Sequence, residues 1–374
     1  MSPPVPTVSW EQVRWYRMEC SGLTEGYANA AEVVSALFGV QAQIHPAAGL
    51  AIWNRVHSAY SFARYERELQ QKRTLIKLWG QRGTLHAFGS AEWPLIYSVF
   101  SENKSWWHRN AEASAQLDDY EQLVEAVAGL LQKQKIMGRS HLRASGLPFT
   151  EEHLSGWGGI FADLVKRGYA CHAGKEEGEG VFAHREHWLP NLAWQPPDRE
   201  EANLEVARRY FRTYGPSTPQ DFTYWRGARA GSGRQRFAEL LSRGELAEVS
   251  VEGMPMWLPV GKLDQLCRPV KGRRWPVKLL YRFDPFLLAH REKRWVVDDA
   301  HYSQVWRPAG HIEGIVLERG RGVATWRYDR VTSGLVITIT PFARLTSPAH
   351  HGIERQSARV ATFFALPLQD LRIA

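Results

Sequence analysis

The sequence predicts an α+β fold in which three tandem winged-helix units precede a C-terminal antiparallel, β-barrel-like scaffold. Two observations lead to this prediction. Residues 150–168 are a near-repeat of residues 218–244, and each copy is followed by two β-prone runs joined by a turn. From Val277 onward the pattern changes to short alternating runs separated by turn residues, which is typical of strands. The chain therefore divides into helix-and-hairpin units and a terminal sheet.

The near-repeat consists of two matched parts. Thr150–Trp157 resembles Thr218–Trp225, 68 residues later, and Phe161–Gly168 resembles Phe237–Gly244, 76 residues later. The eight extra residues fall in Gly227–Arg234, a loop composition in which insertions are tolerated. A threonine before each first helix is a favoured N-cap, and a glycine after each second helix is a favoured C-terminal residue. Each copy is therefore predicted to be a helix, a turn and a second helix.

Predicted strands complete each unit, because helix, turn, helix and β-hairpin in that order is the winged-helix plan. The strands are Tyr169–His172 with Val181–His184 in the first copy, and Leu246–Val251 with Met256–Pro259 in the second. The residues before the repeat follow the same order, with helical runs at 31–40 and 47–60 and strands at Leu75–Trp79 and Thr84–Phe88. The alternative is a set of generic helical hairpins packed into a mixed domain.

The C-terminal scaffold is predicted from its strand pattern and from the helix that follows it. Alternating runs begin at Gly314, Gly322 and Gly334, and an amphipathic helix at 353–366 closes the chain. The sequence then divides into four parts. These are 1–115, 116–197 and 198–270 for the three winged-helix units, and 271–374 for the β scaffold with its closing helix.

The charge balance and the cysteine content of the chain indicate what kind of partner it binds and in which compartment it occurs. Lys and Arg total 47 and Asp and Glu total 39, which gives a net charge of +8 and a pI near 9.4. This balance favours polyanionic partners, because Lys and Arg replace counterions on phosphates. The three cysteines are far apart and form no CxxC motif, which fits a reducing compartment. With no visible signal peptide and no long apolar run, we expect a cytoplasmic protein without membrane contact.

Familiar motifs for cofactors and metals are absent from the sequence. There is no Walker loop, no GxGxxG after a strand, no GxSxG and no HExxH, so the corresponding NTPase, dinucleotide, hydrolase and zincin chemistries are excluded. Cys171, His172, His184 and His187 lack the spacing of a zinc site. The sequence therefore predicts neither a metal nor a cofactor.

The segment Gln41-Ala42-Gln43 has the clearest potential for chemistry. The preceding helix is predicted to end near Val40, and Pro46 favours an extended conformation for His45. Side chains two residues apart lie on the same side of an extended segment, so both amides can face one pocket. Two amides together offer donors and acceptors that can hold a water molecule and contact a substrate. From the spacing alone, a solvated surface loop remains the alternative.

Several motifs at compatible spacing resemble one known family over nearly the whole chain. They are Phe38-Gly-Val-Gln41-Ala-Gln43 with the helix after it, Arg82-Gly-Thr-Leu-His86, Tyr214-Gly-Pro-Ser-Thr218 with Asp221, Phe222 and Trp225, Phe283-Asp284 through Leu288 with His290, Arg291, Val297 and Asp298, and Thr325-Trp-Arg327. In these motifs the chain resembles the bacterial DNA glycosylases of the AlkZ/YcaQ type. It departs from the family at Ala289, where glycine is common.

This resemblance implies three tandem winged helices on a C-terminal β scaffold, and hydrolysis of the N-glycosidic bond of alkylated purines. It assigns Gln41 and Gln43 as the catalytic residues of a monofunctional enzyme with no Schiff-base lysine and no cofactor. The expected partner is double-stranded DNA carrying alkylated bases, bound by a monomer. A sister branch has Asp at the position of Gln43. The Gln form resembles the branch linked to bulky adducts and interstrand crosslinks, which implies DNA repair or self-resistance to genotoxic natural products.

Basic side chains near the first predicted wing and around the start of the β region are candidate DNA contacts, because such groups bind phosphates. They are Arg82, His86, Lys271, Arg273, Arg274, Lys278, His290, Arg291, Lys293 and Arg294. For each of them, ordinary solvated surface charge is the alternative. The competing function is a non-catalytic winged-helix transcriptional regulator. It is less favoured, because typical regulators carry one such unit and dimerise on symmetric sites.

Overall fold

The computed structural model describes residues 4–156 and 158–374. Trp157, the last residue of the first predicted repeat helix, lies outside the described residues. The chain forms two compact units. The first comprises the N-terminal residues up to Tyr65 together with Leu204–Ala374, and the second comprises Glu66–Asn203.

Helices and strands alternate along both units, so the expected mixture of α and β structure is confirmed. The α-helices of the described residues are α1 (Trp10–Cys20), α2 (Ala30–Ala36), α3 (His45–Trp53), α4 (Phe62–Gln70), α5 (Trp93–Phe100), α6 (Trp106–Ala113), α7 (Leu117–Gln134), α8 (Arg139–Arg143), α9 (Phe161–Lys166), α10 (Arg185–Trp188), α11 (Arg199–Tyr214), α12 (Pro219–Arg226), α13 (Ala230–Ser242), α14 (Leu263–Cys267), α15 (Pro285–Leu288), α16 (Tyr302–Val305) and α17 (Ser347–Phe364). The strands are β1 (Thr7–Val8), β2 (Val40–Gln41), β3 (Leu75–Trp79), β4 (Leu85–Gly89), β5 (Ile136–Met137), β6 (Ala170–Glu176), β7 (Glu179–His184), β8 (Leu246–Val251), β9 (Met254–Pro259), β10 (Lys278–Leu280), β11 (Gly314–Glu318), β12 (Arg321–Val331), β13 (Gly334–Pro341) and β14 (Leu368–Ile373).

The C-terminal sheet of the first unit differs from the expected antiparallel barrel. Its strand order is β10-β11-β12-β13-β14, which leaves β10 and β14 at opposite edges, so the sheet is open. It is also mixed, because β14 pairs parallel to β13, with Ile337 opposite Leu371. The reason is that α17 crosses over between these two strands, and a strand that follows a crossover helix returns parallel. The chain therefore ends on an edge strand rather than on the predicted helix.

Two of the predicted helical runs in the N-terminal region end earlier than expected. The helix predicted at 31–40 ends at Ala36, because Phe38 and Gly39 adopt φ values of 50° and 89°. The helix predicted at 47–60 spans His45–Trp53 instead. The early end of α2 leaves room for β2, which carries Gln41. The structure and the predicted end of this helix therefore differ directly beside the candidate site.

The two copies of the near-repeat also differ from each other. In the second copy, Thr218 caps α12 in a capping box with Asp221, and Gly227 ends the helix with a φ of 67°. In the first copy, the helix predicted from Thr150 is absent, and the described residues there form turns. Gly158 and Gly159 have φ values of 129° and 52°, and they form the turn expected between the two parts of the repeat.

The sheet of the second unit joins the hairpins that the sequence predicted. Strands β3 and β4 pair antiparallel, with Leu78 opposite His86, and β6 pairs with both β3 and β7. The aromatic rings of Phe161 and Phe182 stack at 4.4 Å between their centroids, so α9 packs against this sheet through buried side chains.

Candidate active site around Gln41 and Gln43

The backbone around Gln41 and Gln43 gives the two amides different surroundings. Gln41 ends the short strand β2 and is 7% exposed. Gln43 lies in a bend just before α3 and is exposed to solvent. Ala42 between them is 2% exposed. The pair therefore offers one amide from inside the protein and one at the surface, two residues apart.

Contacts from α11 and α12 fix the turn that precedes Gln41. The Tyr214 hydroxyl donates to the Leu37 carbonyl at 3.0 Å, and the Thr213 hydroxyl donates to the Ala36 carbonyl at 2.7 Å. The Phe38 ring packs against Trp225, with their centroids 6.3 Å apart. These contacts hold the end of α2 and therefore determine where the chain enters the segment.

Helix α3, which follows Gln43, is unusual because it is apolar all around. Every residue from Ala47 to Trp53 is buried, as expected of a helix in the middle of a core. Gly49 allows close packing, since a Cβ there would lie 3.0 Å from the Phe363 ring and 3.1 Å from the Tyr65 ring, and these rings would have to shift. No side chain caps the start of the helix at Ile44. Pro46 has no N–H, and the Ala47 N–H donates to the Ile44 carbonyl at 3.0 Å. The positive end of the helix dipole lies beside the bend that contains Gln43.

A buried ion pair holds the other end of α3. The Arg55 guanidinium donates to both carboxylate oxygens of Asp284, at 2.8 Å and 2.6 Å, and both side chains are at most 1% exposed. Burial opposes the charge on Arg55, but the neighbouring Asp284 carboxylate outweighs it and raises the pKa of Arg55. Asp284 also accepts from the Phe286 N–H at 3.0 Å and caps α15. The Phe-Asp motif is thus an anchor for α3 rather than a source of acid–base chemistry.

Asn54 and Lys278 add a second connection at the same end of α3. The Asn54 side chain donates to the Leu279 carbonyl at 2.8 Å, and the Lys278 ammonium donates to the Asn54 carbonyl at 2.9 Å. Burial lowers the pKa of Lys278 to about 8. The lysine is therefore a structural link between β10 and α3, and we no longer assign it to phosphate contact.

The Tyr-Gly-Pro and His-Arg motifs meet in a second set of buried contacts. His290 donates from Nε2 to the Tyr214 carbonyl at 2.8 Å. Asp221 accepts from the Arg291 N–H at 2.8 Å. The Tyr210 hydroxyl donates to the Ala289 carbonyl at 3.0 Å. These motifs thus connect α11 and α12 to the segment after α15, in the same unit as the two glutamines.

The structure corrects three further candidate DNA contacts, because their side chains are buried. His86 is 3% exposed and donates from Nδ1 to the Thr84 carbonyl at 2.9 Å, and burial lowers its pKa to about 3. Burial also lowers the pKa of His290 far below its usual value. The Lys293 ammonium, 4% exposed, donates to the Leu287 carbonyl at 2.8 Å. None of the three presents a free cation to a ligand.

The remaining basic candidates are accessible to different degrees. Lys271, Arg274 and Arg291 are exposed. Arg294 is exposed but forms an ion pair with Asp299 at 2.8 Å. Arg82 is half-buried and lies at a turn of the second unit, with a φ of 55°. Arg273 is also half-buried, and its guanidinium lies 5.0 Å from the centre of the Trp15 ring.

Burial also affects the cysteine and one of the histidines considered as metal ligands. Cys171 is fully buried, and burial lowers the pKa of His172 to about 4. Within residues 4–156 and 158–374, no group of three His, Cys, Asp or Glu side chains is arranged to hold a metal ion. In the same residues, no helix is long and apolar enough to cross a membrane.

Comparison with known proteins assigns the chain to a class of enzyme. The profile of a family described as "DNA glycosylase AlkZ-like" matches residues 34–363, which include both glutamines and every motif discussed above. The protein is therefore a DNA glycosylase. It belongs to the AlkZ-like family, as the sequence motifs predicted, and the regulator interpretation has no support of its own.

Two comparisons extend this similarity to nearly the full length of the chain. An "Interstrand DNA cross-link repair glycosylase" of Streptomyces sahachiroi is 30% identical and aligns with 98% of this chain and 99% of its own length. The solved structure named "Streptomyces sahachiroi DNA glycosylase AlkZ" has a TM-score of 0.82 and 28% identity over 98% of this chain and 100% of that one. The similarity in fold is therefore not confined to the motifs.

Proposed function

We propose that this enzyme hydrolyses the N-glycosidic bond of cationic N7-alkylated purines in double-stranded DNA, with Gln41 and Gln43 holding the attacking water. The observation that carries this proposal is the placement of the two amides. Gln43 is exposed at the uncapped start of α3, and Gln41 lies buried two residues before it. An exposed amide at the positive end of a helix dipole can bind a water molecule, while the buried amide belongs to the fixed part of the fold.

The chemistry suits glutamine because the leaving group is already activated. A purine alkylated at N7 is cationic, so the C–N bond breaks with its electron pair returning to the base, which leaves as a neutral molecule. Water attacks the anomeric carbon and then releases a proton to solvent. A glutamine carbonyl orients that water and stabilises developing positive charge on the sugar, although it is too weak a base to generate hydroxide. Activity should therefore be confined to cationic lesions.

The preferred lesions of this chain extend, in our proposal, to bulky adducts and interstrand crosslinks. The supporting observations are the name of the Streptomyces relative, a crosslink repair glycosylase, and glutamine rather than aspartate at position 43. The biological role is then DNA repair or resistance to genotoxic natural products, carried out by a cytoplasmic monomer on DNA.

The predicted division into three winged-helix units and a scaffold also remains part of this proposal. The order α11, α12, α13, β8, β9 supports a unit at 198–270. The order α2, α3, α4, β3, β4 supports one within 1–115. The unit at 116–197 has the weakest support, because turns replace its first predicted helix.

A comparison of lesions tests the proposed reaction. The full chain is incubated with duplexes containing N7-methylguanine, O6-methylguanine or no lesion, and abasic sites are converted to breaks with alkali. We expect breaks above the undamaged control only with N7-methylguanine, because the O6-methyl lesion is uncharged. Equal excision of both lesions, or no excision of the cationic one, would contradict the proposal.

A further inference from the structure

We propose that three arginines of the first unit, Arg330, Arg355 and Arg359, form a binding surface for DNA backbone phosphates beside α3. We call them the arginine row. None of them was among the candidate DNA contacts from the sequence. The proposal deepens the proposed function, since it names the surface that would hold the DNA next to the glutamines.

Two members of the row lie on the solvent side of α17. Arg355 and Arg359 are both exposed and are four residues apart, which places them on one face about 6 Å apart along the helix axis. The opposite face of α17 is buried through Ile353, Val360 and Phe364. The helix is therefore fixed to its unit and presents both guanidinium groups outward.

Aromatic rings connect the row to the two ends of α3. The Arg359 guanidinium lies 5.2 Å from the ring centre of Trp53, the last residue of α3. The Arg330 guanidinium lies 5.7 Å from the ring centre of Phe62. Phe62 in turn packs edge-on against His45, the first residue of α3, at 5.4 Å. The row thus runs alongside the helix that begins next to Gln43.

Arg330 is held most firmly of the three. Its guanidinium also lies 4.6 Å from the ring centre of Phe364. Phe364 packs against Tyr328, on the same face of β12, with their centroids 4.9 Å apart. Stacking on aromatic rings orders a guanidinium without neutralising its charge. An ordered cation loses less conformational entropy when it binds an anion.

The positive charges of the row are also not neutralised by carboxylates of the described residues. In residues 4–156 and 158–374, no carboxylate lies within ion-pair distance of the three guanidinium groups. Elsewhere in the unit, Arg208 pairs with Glu245, Arg209 with Glu205 and Arg243 with Glu239. Exposed and uncompensated guanidinium groups, two of them next to aromatic rings, suit a polyanion, and phosphates are the anionic groups of the substrate class.

Binding to an undamaged duplex at several salt concentrations tests the row independently of catalysis. Each phosphate contact contributes about 0.9 to the slope of log K against log salt concentration. The double variant R355Q/R359Q should therefore lower the magnitude of the slope by about 1.8 and weaken binding at low salt. The matched control is R319Q/R372Q, which removes two exposed arginines that pair with Glu11 and Asp370. An unchanged slope in R355Q/R359Q, or an equal loss in the control, would overturn the proposal.

Two single variants keep the result interpretable if the double variant unfolds. R355Q alone removes no ring contact or ion pair, and it should lower the magnitude of the slope by about 0.9. R359K keeps the charge and should retain the wild-type slope. The duplex carries no lesion, so the outcome does not depend on whether Gln41 and Gln43 catalyse hydrolysis. If Q43A kept the wild-type slope but also kept full excision of N7-methylguanine, the catalytic assignment alone would fail.

Discussion

Gln41 and Gln43 are two residues apart, yet one is buried and the other faces solvent. This asymmetry suggests different tasks within the proposed site. Gln43 is free to contact a water molecule and the sugar, while Gln41 belongs to the part of the fold that α11 and α12 hold in place. A substitution at Gln43 should therefore affect catalysis more than stability.

Among single residues, His86 shows how burial changes what a histidine side chain can bind. The sequence motif around His86 suggested a DNA contact, because an exposed imidazole binds phosphate. Burial instead keeps His86 neutral, and its Nδ1–H is used by the Thr84 carbonyl. The sequence could not reveal this, because burial of His86 depends on how β3, β4 and the rest of the second unit pack.

The neutral state of His86 predicts a dependence of stability on pH. Its pKa is lowered to about 3 in the folded protein, whereas an unfolded histidine titrates near pH 6.5. Below pH 6.5 the unfolded chain takes up a proton that the folded chain does not, so acid destabilises the fold. Between pH 7 and pH 5 this costs about 2 kcal/mol. We therefore expect H86Q to lose about 2 kcal/mol less free energy of unfolding than wild type over this range.

Urea unfolding at the two pH values measures the effect. H350Q, which removes an exposed imidazole, serves as the control for losing one histidine and should follow wild type. Identical acid sensitivity in wild type and H86Q would show that His86 is not held neutral.

At the scale of elements, contacts fix α3 at both ends. The turn before Gln41 is held by α11 and α12, and Arg55 just after the helix is paired with Asp284. The sequence identified the Phe-Asp motif through resemblance but did not identify Arg55 as its partner. The two residues are 229 positions apart, and local patterns carry no information about such a pairing.

Removing Asp284 should destabilise the first unit strongly. D284A leaves the Arg55 guanidinium buried without its counter-charge, which typically costs about 3–5 kcal/mol. In R55M/D284A the uncompensated charge is also removed, so we expect the double variant to be more stable than the sum of the single effects predicts. Urea unfolding of both single variants, the double variant and wild type gives the coupling energy. Strict additivity would mean that the pair does not anchor α3.

The secondary structure itself was predictable where local rules dominate. The strands of the three predicted hairpins appear at or within a few residues of their expected positions, because alternation and flanking turns are local signals. The Thr218 cap is another local signal, and it is confirmed. The helix expected from Thr150 did not form, and the described residues there make turns instead. Strand β14 was missed because its pairing with β13 is decided by the crossover of α17.

At the scale of the whole molecule, the net charge of +8 agrees with a DNA substrate, and the basic clusters of the sequence supplied the candidate DNA contacts. Several of those side chains are buried or paired. The arginine row instead combines residues from β12 and α17 with rings from α3 and α4, so only the tertiary structure brings it together. The candidate active site was proposed from the sequence for a different reason, since its motif is contiguous and resembles that of a known family.

We propose above all that Gln41 and Gln43 carry the hydrolysis. The most direct measurement is the single-turnover rate of N7-methylguanine excision by Q43A and Q41A, compared with wild type and with Q304A, a variant at an exposed glutamine of the same unit. We expect Q43A to fall at least about 100-fold, as when a preorganised polar group is removed from an active site. Q41A should fall as well, while Q304A keeps the wild-type rate. Because Gln43 is exposed, Q43A should retain the wild-type Tm. Full excision by a folded Q43A protein would contradict the account.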